Sequence, residues 1–89
     1  MRGHRVAFRP GFPGGIGPPV APGDYCKVPA DVRLGRVITW LLVDPTGAAG
    51  SIIPENHTVV EHADGTITVS PSVVMPGGWH GWLRHGVWS

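Results

Sequence analysis

The sequence predicts a small, mostly β domain: an antiparallel sheet of hairpins with an extended Pro/Gly-rich N-terminal arm. Three observations lead there. The 89 residues suffice for one domain. Fourteen glycines and ten prolines leave no stretch with sustained helical periodicity, which excludes a coiled coil or helical bundle. Short β-branched runs are bounded by Asp-Pro and Asp-Gly turn signals. Charged residues make up 15% and hydrophobic ones 42%, so the chain as a whole is not a highly charged disordered tail. The apolar run at residues 37–43 is too short to span a bilayer as a helix, and no membrane partner is expected.

In chain order, residues 1–23 read as the arm and residues 24–89 as the small β domain. From Phe8 to Gly23, Gly and Pro dominate; one costs backbone entropy and the other removes donors, so neither helix nor interior strand is expected. Left alone, such an arm is extended and mobile. Phe8, Phe12, Ile16 and Val20 recur every four residues as apolar pegs on that ribbon. A mixed stretch with turn signals at Pro29 and Gly35 follows. Val37-Ile38-Thr39-Trp40-Leu41-Leu42-Val43 then reads as a buried strand, closed by Asp44-Pro45-Thr46-Gly47. Ile52-Ile53 is a loop or short strand, stopped by Pro54.

Thr58-Val59-Val60-Glu61-His62 and Thr66-Ile67-Thr68-Val69-Ser70 flank Ala63-Asp64-Gly65, the hairpin signal of the chain. Alternation puts Ile67 and Val69 on one face, with Thr66, Thr68 and Ser70 on the other. Pro71 and Pro76 are expected to end regular pairing, leaving Val73-Val74-Met75 at most an edge strand. Trp82-Leu83 and Val87-Trp88 around Arg84-His85-Gly86 form a second hairpin, and Trp79, Trp82 and Trp88 supply large rings to a small core.

Charge is divided along the chain. Arg2, Arg5, Arg9, Lys27, Arg33 and Arg36 precede residue 37 against Asp24 and Asp31; Arg84 follows it, against Asp44, Glu55, Glu61 and Asp64. A net charge of +1 gives no argument for nucleic acid, and none is expected as a partner. Cys26 is the sole cysteine, so no intrachain disulfide supports the fold, and it reads as a small buried hydrophobe. The Pro-rich stretch replaces the apolar region of a secretory leader, so export through a signal peptide is not expected.

Chemistry is poorly provided for. Cys26, His57, His62, His80 and His85 lack Cys-x-x-Cys or His-x-x-x-His spacing, and only His80 and His85 are placed to meet, across the terminal hairpin. Ser70 and Ser72 bracket Pro71 without a nucleophile elbow. Gly14-Gly15-Ile16-Gly17 lacks the strand, helix and lysine of a phosphate loop. No enzyme activity, catalytic residue, metal or cofactor is expected.

The last twenty-five residues resemble a family of short phage and prophage proteins of uncharacterised function. The resemblance rests on Ser70-Pro71-Ser72-Val73, then His80-Gly81-Trp82-Leu83-Arg84-His85-Gly86 with Val87-Trp88, preceded by Asp64-Gly65-Thr66-Ile67-Thr68-Val69. It covers under half of the chain and implies a phage origin, a small β fold and no enzymatic activity. Members commonly carry cysteine clusters where this chain has Gly78 and Trp79, so a metal knuckle of the relatives is replaced here by tryptophan packing.

About sixty-five residues without a disulfide form a marginal core, which points to association. The expectation is a non-enzymatic virion component, such as a capsid-associated decoration or accessory protein present in several copies. Its partners are protein: neighbouring subunits or the capsid protein. Its location is the virion or the host cytoplasm. Phe8, Phe12, Ile16, Val20, Trp79, Trp82 and Trp88 are the candidate partner-binding residues. The alternatives are a small metal- or ligand-binding regulatory module and a phage inhibitor of a host protein.

Overall fold

The structure is a computed structural model and describes residues 1–8, 21–29 and 38–89. These residues form strands and no helix, in two four-stranded sheets. The first sheet runs β1 (His4–Arg5), β2 (Asp24–Lys27), β3 (Trp40–Val43) and β4 (Ala49–Ile52); the second runs β5 (Thr58–Glu61), β6 (Ile67–Val74), β7 (His80–Arg84) and β8 (Val87–Trp88). All pairings are antiparallel except β1 with β2, which is parallel.

Three hairpins use one device. Asp44 N donates to Ala48 O, His62 N to Thr66 O and Met75 N to Trp79 O, each enclosing three loop residues. The third of these is Gly47, Gly65 or Gly78, at φ of 92°, 87° and 93°, a conformation that costs a side-chain-bearing residue energy. The terminal hairpin is tighter: Arg84 faces Val87, and His85 and Gly86 both take positive φ.

The core lies between the sheets. Tyr25, Trp40, Leu42 and Ile52 of the first pack against Ile67, Val69, Val73, Leu83 and Trp88 of the second. Ile67 and Val69 are fully buried on one face of β6, as alternation predicts. The first sheet is also covered on its far side, where Cys26, Val28 and Leu41 pack with Val6, Phe8 and Ile38. That second layer explains the unbroken apolar run of β3, Trp40-Leu41-Leu42-Val43, all buried.

Residues 1–6 join the sheets. Met1 N donates to Trp88 O (2.8 Å), Trp88 N to Met1 O (2.7 Å) and Gly3 N to Gly86 O (2.7 Å), placing residues 1–3 beside β8. His4 N then donates to Gly23 O and Val6 N to Tyr25 O, placing the next residues beside β2. One extended segment thus switches sheets and makes the corner of the sandwich. The Trp88 indole reinforces it, donating from Nε1 to Gly23 O at 3.0 Å. A β carbon on Gly3 would lie 2.7 Å from Gly23 O and 2.8 Å from Trp88 Nε1, so only glycine fits that crossing. Charge closes another corner: Arg5 and Lys27 both reach Glu61 of β5, at 3.2 and 2.5 Å.

Several sequence expectations change. There are two sheets, not one. The mixed stretch after residue 24 contains β2, which turn signals concealed. The strand expected over residues 37–43 starts at Trp40, and Val37 lies outside the described residues. Pairing with β5 ends at Ser70, just before Pro71 and its cis peptide bond, so Val73 and Val74 form the expected edge; pairing with β7 continues past a register shift between Val69 and Val73, with Val73 facing Gly81 and Val74 facing His80. A register shift is where a sheet tolerates a residue without an N–H. The first eight residues of the expected arm bind their own chain's sheets, and residues 9–20 lie outside the described residues.

Two outcomes follow. Gly3→Ala is expected to lower stability by about 1–3 kcal/mol, because the methyl group meets backbone at the corner; urea denaturation measures it. Acid should also weaken the fold. Burial raises the Asp44 carboxyl pKa, but bonds from the Thr46 hydroxyl and the Ala48, Thr46 and Gly47 amides outweigh it, so the net shift is downward. Glu61 is lowered chiefly by its Lys27 hydrogen bond, with Arg5 adding to it. Carboxylates lowered in the folded state stabilise it above their unfolded value, about pH 4, and that contribution is lost as pH falls through the folded values. The denaturation midpoint should therefore drop below about pH 4, and less so in Asp44→Asn; a midpoint unchanged into strong acid would reject this account.

Candidate interaction surfaces

The tryptophans divide by face. Trp88 is 1% exposed, so it belongs to the core and presents nothing to a partner. Trp79 is half-buried and folds back onto it, edge to face at 5.5 Å and 77°. Trp82 lies on the outer face of β7, half-buried, with the Arg84 guanidinium 4.1 Å from its ring centroid. Phe8 packs in the far-side layer of the first sheet. Phe12, Ile16 and Val20 lie outside the described residues. The four described candidates, Phe8, Trp79, Trp82 and Trp88, therefore do not share one surface.

It shows instead a groove that sequence reasoning missed. The corner segment joins the sheets on one side; on the other, β4 and β5 are the end strands of their sheets and do not pair. Beyond Ser70, β6 also loses its β5 neighbour. Between β4 and this half of β6 runs an apolar cavity of about 610 Å³, with Ile38, Leu41, Gly50, Ile52, Val73 and Met75 in its walls. His57 and the 68%-exposed Val74 stand at its border. The signal in the sequence was Gly50 on a short strand: a β carbon there would come within 2.8 Å of the Met75 methyl, so β4 and residue 75 approach closely. An unpaired strand edge beside an apolar groove suits an extended segment, which adds main-chain hydrogen bonds to side-chain burial.

The histidines do not assemble as expected. His80 and His85 stay apart. His80 Nε2 lies 2.9 Å from Ser72 Oγ, and His57 Nε2 lies 3.2 Å from Ser72 O. His85 stacks on His62 at 3.8 Å and 11°. Thr68 holds that stack, its hydroxyl meeting His62 Nε2 at 2.7 Å and accepting from His85 N at 3.0 Å. Among the described residues, no group of three or more His, Cys, Asp or Glu side chains is placed to hold a metal. Burial pushes the Cys26 thiol pKa up, which disfavours the nucleophilic thiolate.

In comparisons with protein-family models, curated proteins and solved structures, the chain matches none.

The division of the tryptophans has a measurable consequence. Trp88→Ala should cost about 3–5 kcal/mol, the range for a buried aromatic ring, and Trp82→Ala only about 1 kcal/mol. Equal costs in denaturant titration would show that Trp82 is core.

Proposed function

We propose that this protein is a non-enzymatic interaction module, a virion accessory or decoration component present in several copies, in which the groove of one copy takes an extended apolar segment of its neighbour. The observation that carries this reading is the apolar cavity of about 610 Å³ at the unpaired β4 edge. The occupant is the peg-bearing ribbon of the adjacent subunit, with Phe12, Ile16 and Val20 as the inserted side chains. Each ribbon starts beside its own chain's groove, so two copies meeting at this edge can exchange ribbons. Phe8, the last described residue before it, packs in the layer that also holds Ile38 and Leu41, and both of those residues line the groove. Pro-rich extended backbone suits such docking because less conformational freedom is lost on binding. Contacts of this kind repeated over a lattice add up to firm attachment. The phage setting rests on the resemblance of the Ser-Pro-Ser and His-x-Trp-Leu-Arg-x-Gly segments.

Light scattering on a sizing column tests the docking. The intact chain is expected to associate. Val74→Glu, which sets a charge on the exposed border, and the triple change Phe12→Ser, Ile16→Ser, Val20→Ser should both give monomers with an unaltered circular dichroism spectrum. An intact chain that remains monomeric at high concentration would reject self-docking. Mass spectrometry of purified particles tests the setting, with stoichiometric copies expected and none rejecting the virion assignment.

A further inference from the structure

The outer face of the second sheet, away from the groove, has its own organisation. Val60 faces Thr68, Arg84 faces Val87, and Val87 faces Arg2. Because Val69 lies opposite Leu83, Thr68 falls beside Arg84. The register therefore lines up Val60, Thr68, Arg84, Val87 and Arg2 in one row across the sheet and onto the corner segment. Trp82 shares this face, two residues before Arg84 on β7, and its ring carries the Arg84 guanidinium. Val60 and Val87 are 51% and 38% exposed.

The described arginines and lysine fall into two kinds. Arg5 and Lys27 share Glu61. Arg2 and Arg84 have no carboxylate partner among the described residues. The described acids are placed elsewhere: Asp24 and Asp44 are buried, Glu55 is exposed in the β4–β5 loop, Glu61 is held by its two cations, and Asp64 accepts from the Thr66 amide and hydroxyl in the β5–β6 loop. Two neighbouring strand spacings put the backbones of Arg84 and Arg2 about 10 Å apart, with Val87 between them. Tryptophan and arginine are among the residue types that dominate binding energy at protein interfaces.

We propose that this face docks a partner protein through an acidic amphipathic segment, two carboxylates about 10 Å apart meeting Arg2 and Arg84 while an apolar side chain between them covers Val87. A helix places such carboxylates at positions i and i+7, about 10 Å along its axis, with the apolar residue at i+4. Two guanidinia separated by a valine match that pattern better than a phosphate backbone, whose binding depends on many cations along one track. The inference does not depend on the groove.

The test uses the full chain and a fluorescein-labelled helical peptide carrying Glu, Leu and Glu at those positions, with oligo(dT) as the competing probe. Fluorescence anisotropy should show peptide binding that Arg84→Gln and Arg2→Gln each weaken about tenfold, the scale of a lost charge-assisted hydrogen bond. Asn56→Asp, the same change in net charge at an exposed position of the β4–β5 loop, should bind as the parent does, and circular dichroism should be unchanged in all three. Absence of peptide binding, an equal loss in Asn56→Asp, or tighter binding of oligo(dT) than of the peptide would each overturn the proposal.

Discussion

The carbonyl of Gly23 is the point on which the two sheets meet. It accepts from the His4 amide of the corner segment and from the Trp88 indole, so its two lone pairs tie both sheets to one atom. Trp88 is fixed in turn by its backbone exchange with Met1 and by the edge of Trp79. A buried indole N–H needs an acceptor, and a buried carbonyl beside a strand switch needs donors. Each solves the other's requirement, which makes Gly3, Gly23 and Trp88 one device rather than three neighbours. Closing the sandwich there leaves its opposite side open, and the groove between β4 and β6 is the result of that asymmetry.

The sheets also differ in what they face. The central strands of the first, β2 and β3, are buried on both sides, which accounts for the all-apolar β3 and for Cys26 reading as a hydrophobe. The second buries one face and offers the other to solvent, so its strands alternate: Ile67, Val69 and Leu83 inward, Thr68, Trp82 and Arg84 outward. A chain of this size cannot cover two sheets on both faces. The two-sided burial of β2 and β3 and the exposure of the second sheet are thus parts of one distribution of a limited apolar supply.

What was legible in the sequence is local. The Asp44 and Asp64 turns, the Gly47 and Gly65 positions and the period-two face of β6 follow from side-chain chemistry within a few residues, and the structure forms them there. What was not legible is non-local. The parallel β1–β2 pair has no turn to announce it, because its partners are separated by the Pro/Gly-rich stretch. Residues 1–8 read as part of a loose arm because Gly3 and the nearby prolines were judged by propensity, whereas the chain-end segment is held by bonds to residues more than eighty positions away. Pro71 stops the pairing with β5 but not that with β7, because the register shift there accommodates its missing N–H. Among the site residues, the composition marked Trp79, Trp82 and Trp88 as one group; only the pleat tells Trp82 from Trp88, and that depends on which face of β7 and β8 meets Trp40 and Tyr25.

The same reasoning bears on how the molecule uses its charges. Burying Tyr25 raises its pKa and removes its hydroxyl from water, while Arg5, stacked 5.0 Å over Trp40, takes Glu61 and the Gly65 carbonyl. Arg5 and Lys27 are therefore spent on internal closure, and their substitution would act on the fold. Arg2 and Arg84 stand on the outer face, bound to neighbours only through backbone and ring, so changing them leaves the sandwich intact. Cations that look alike in the sequence thus separate, among the described residues, into ones that hold the sheets together and ones that remain available to another molecule. That separation is set by which strand edge each residue lies on, and by nothing in the residue type.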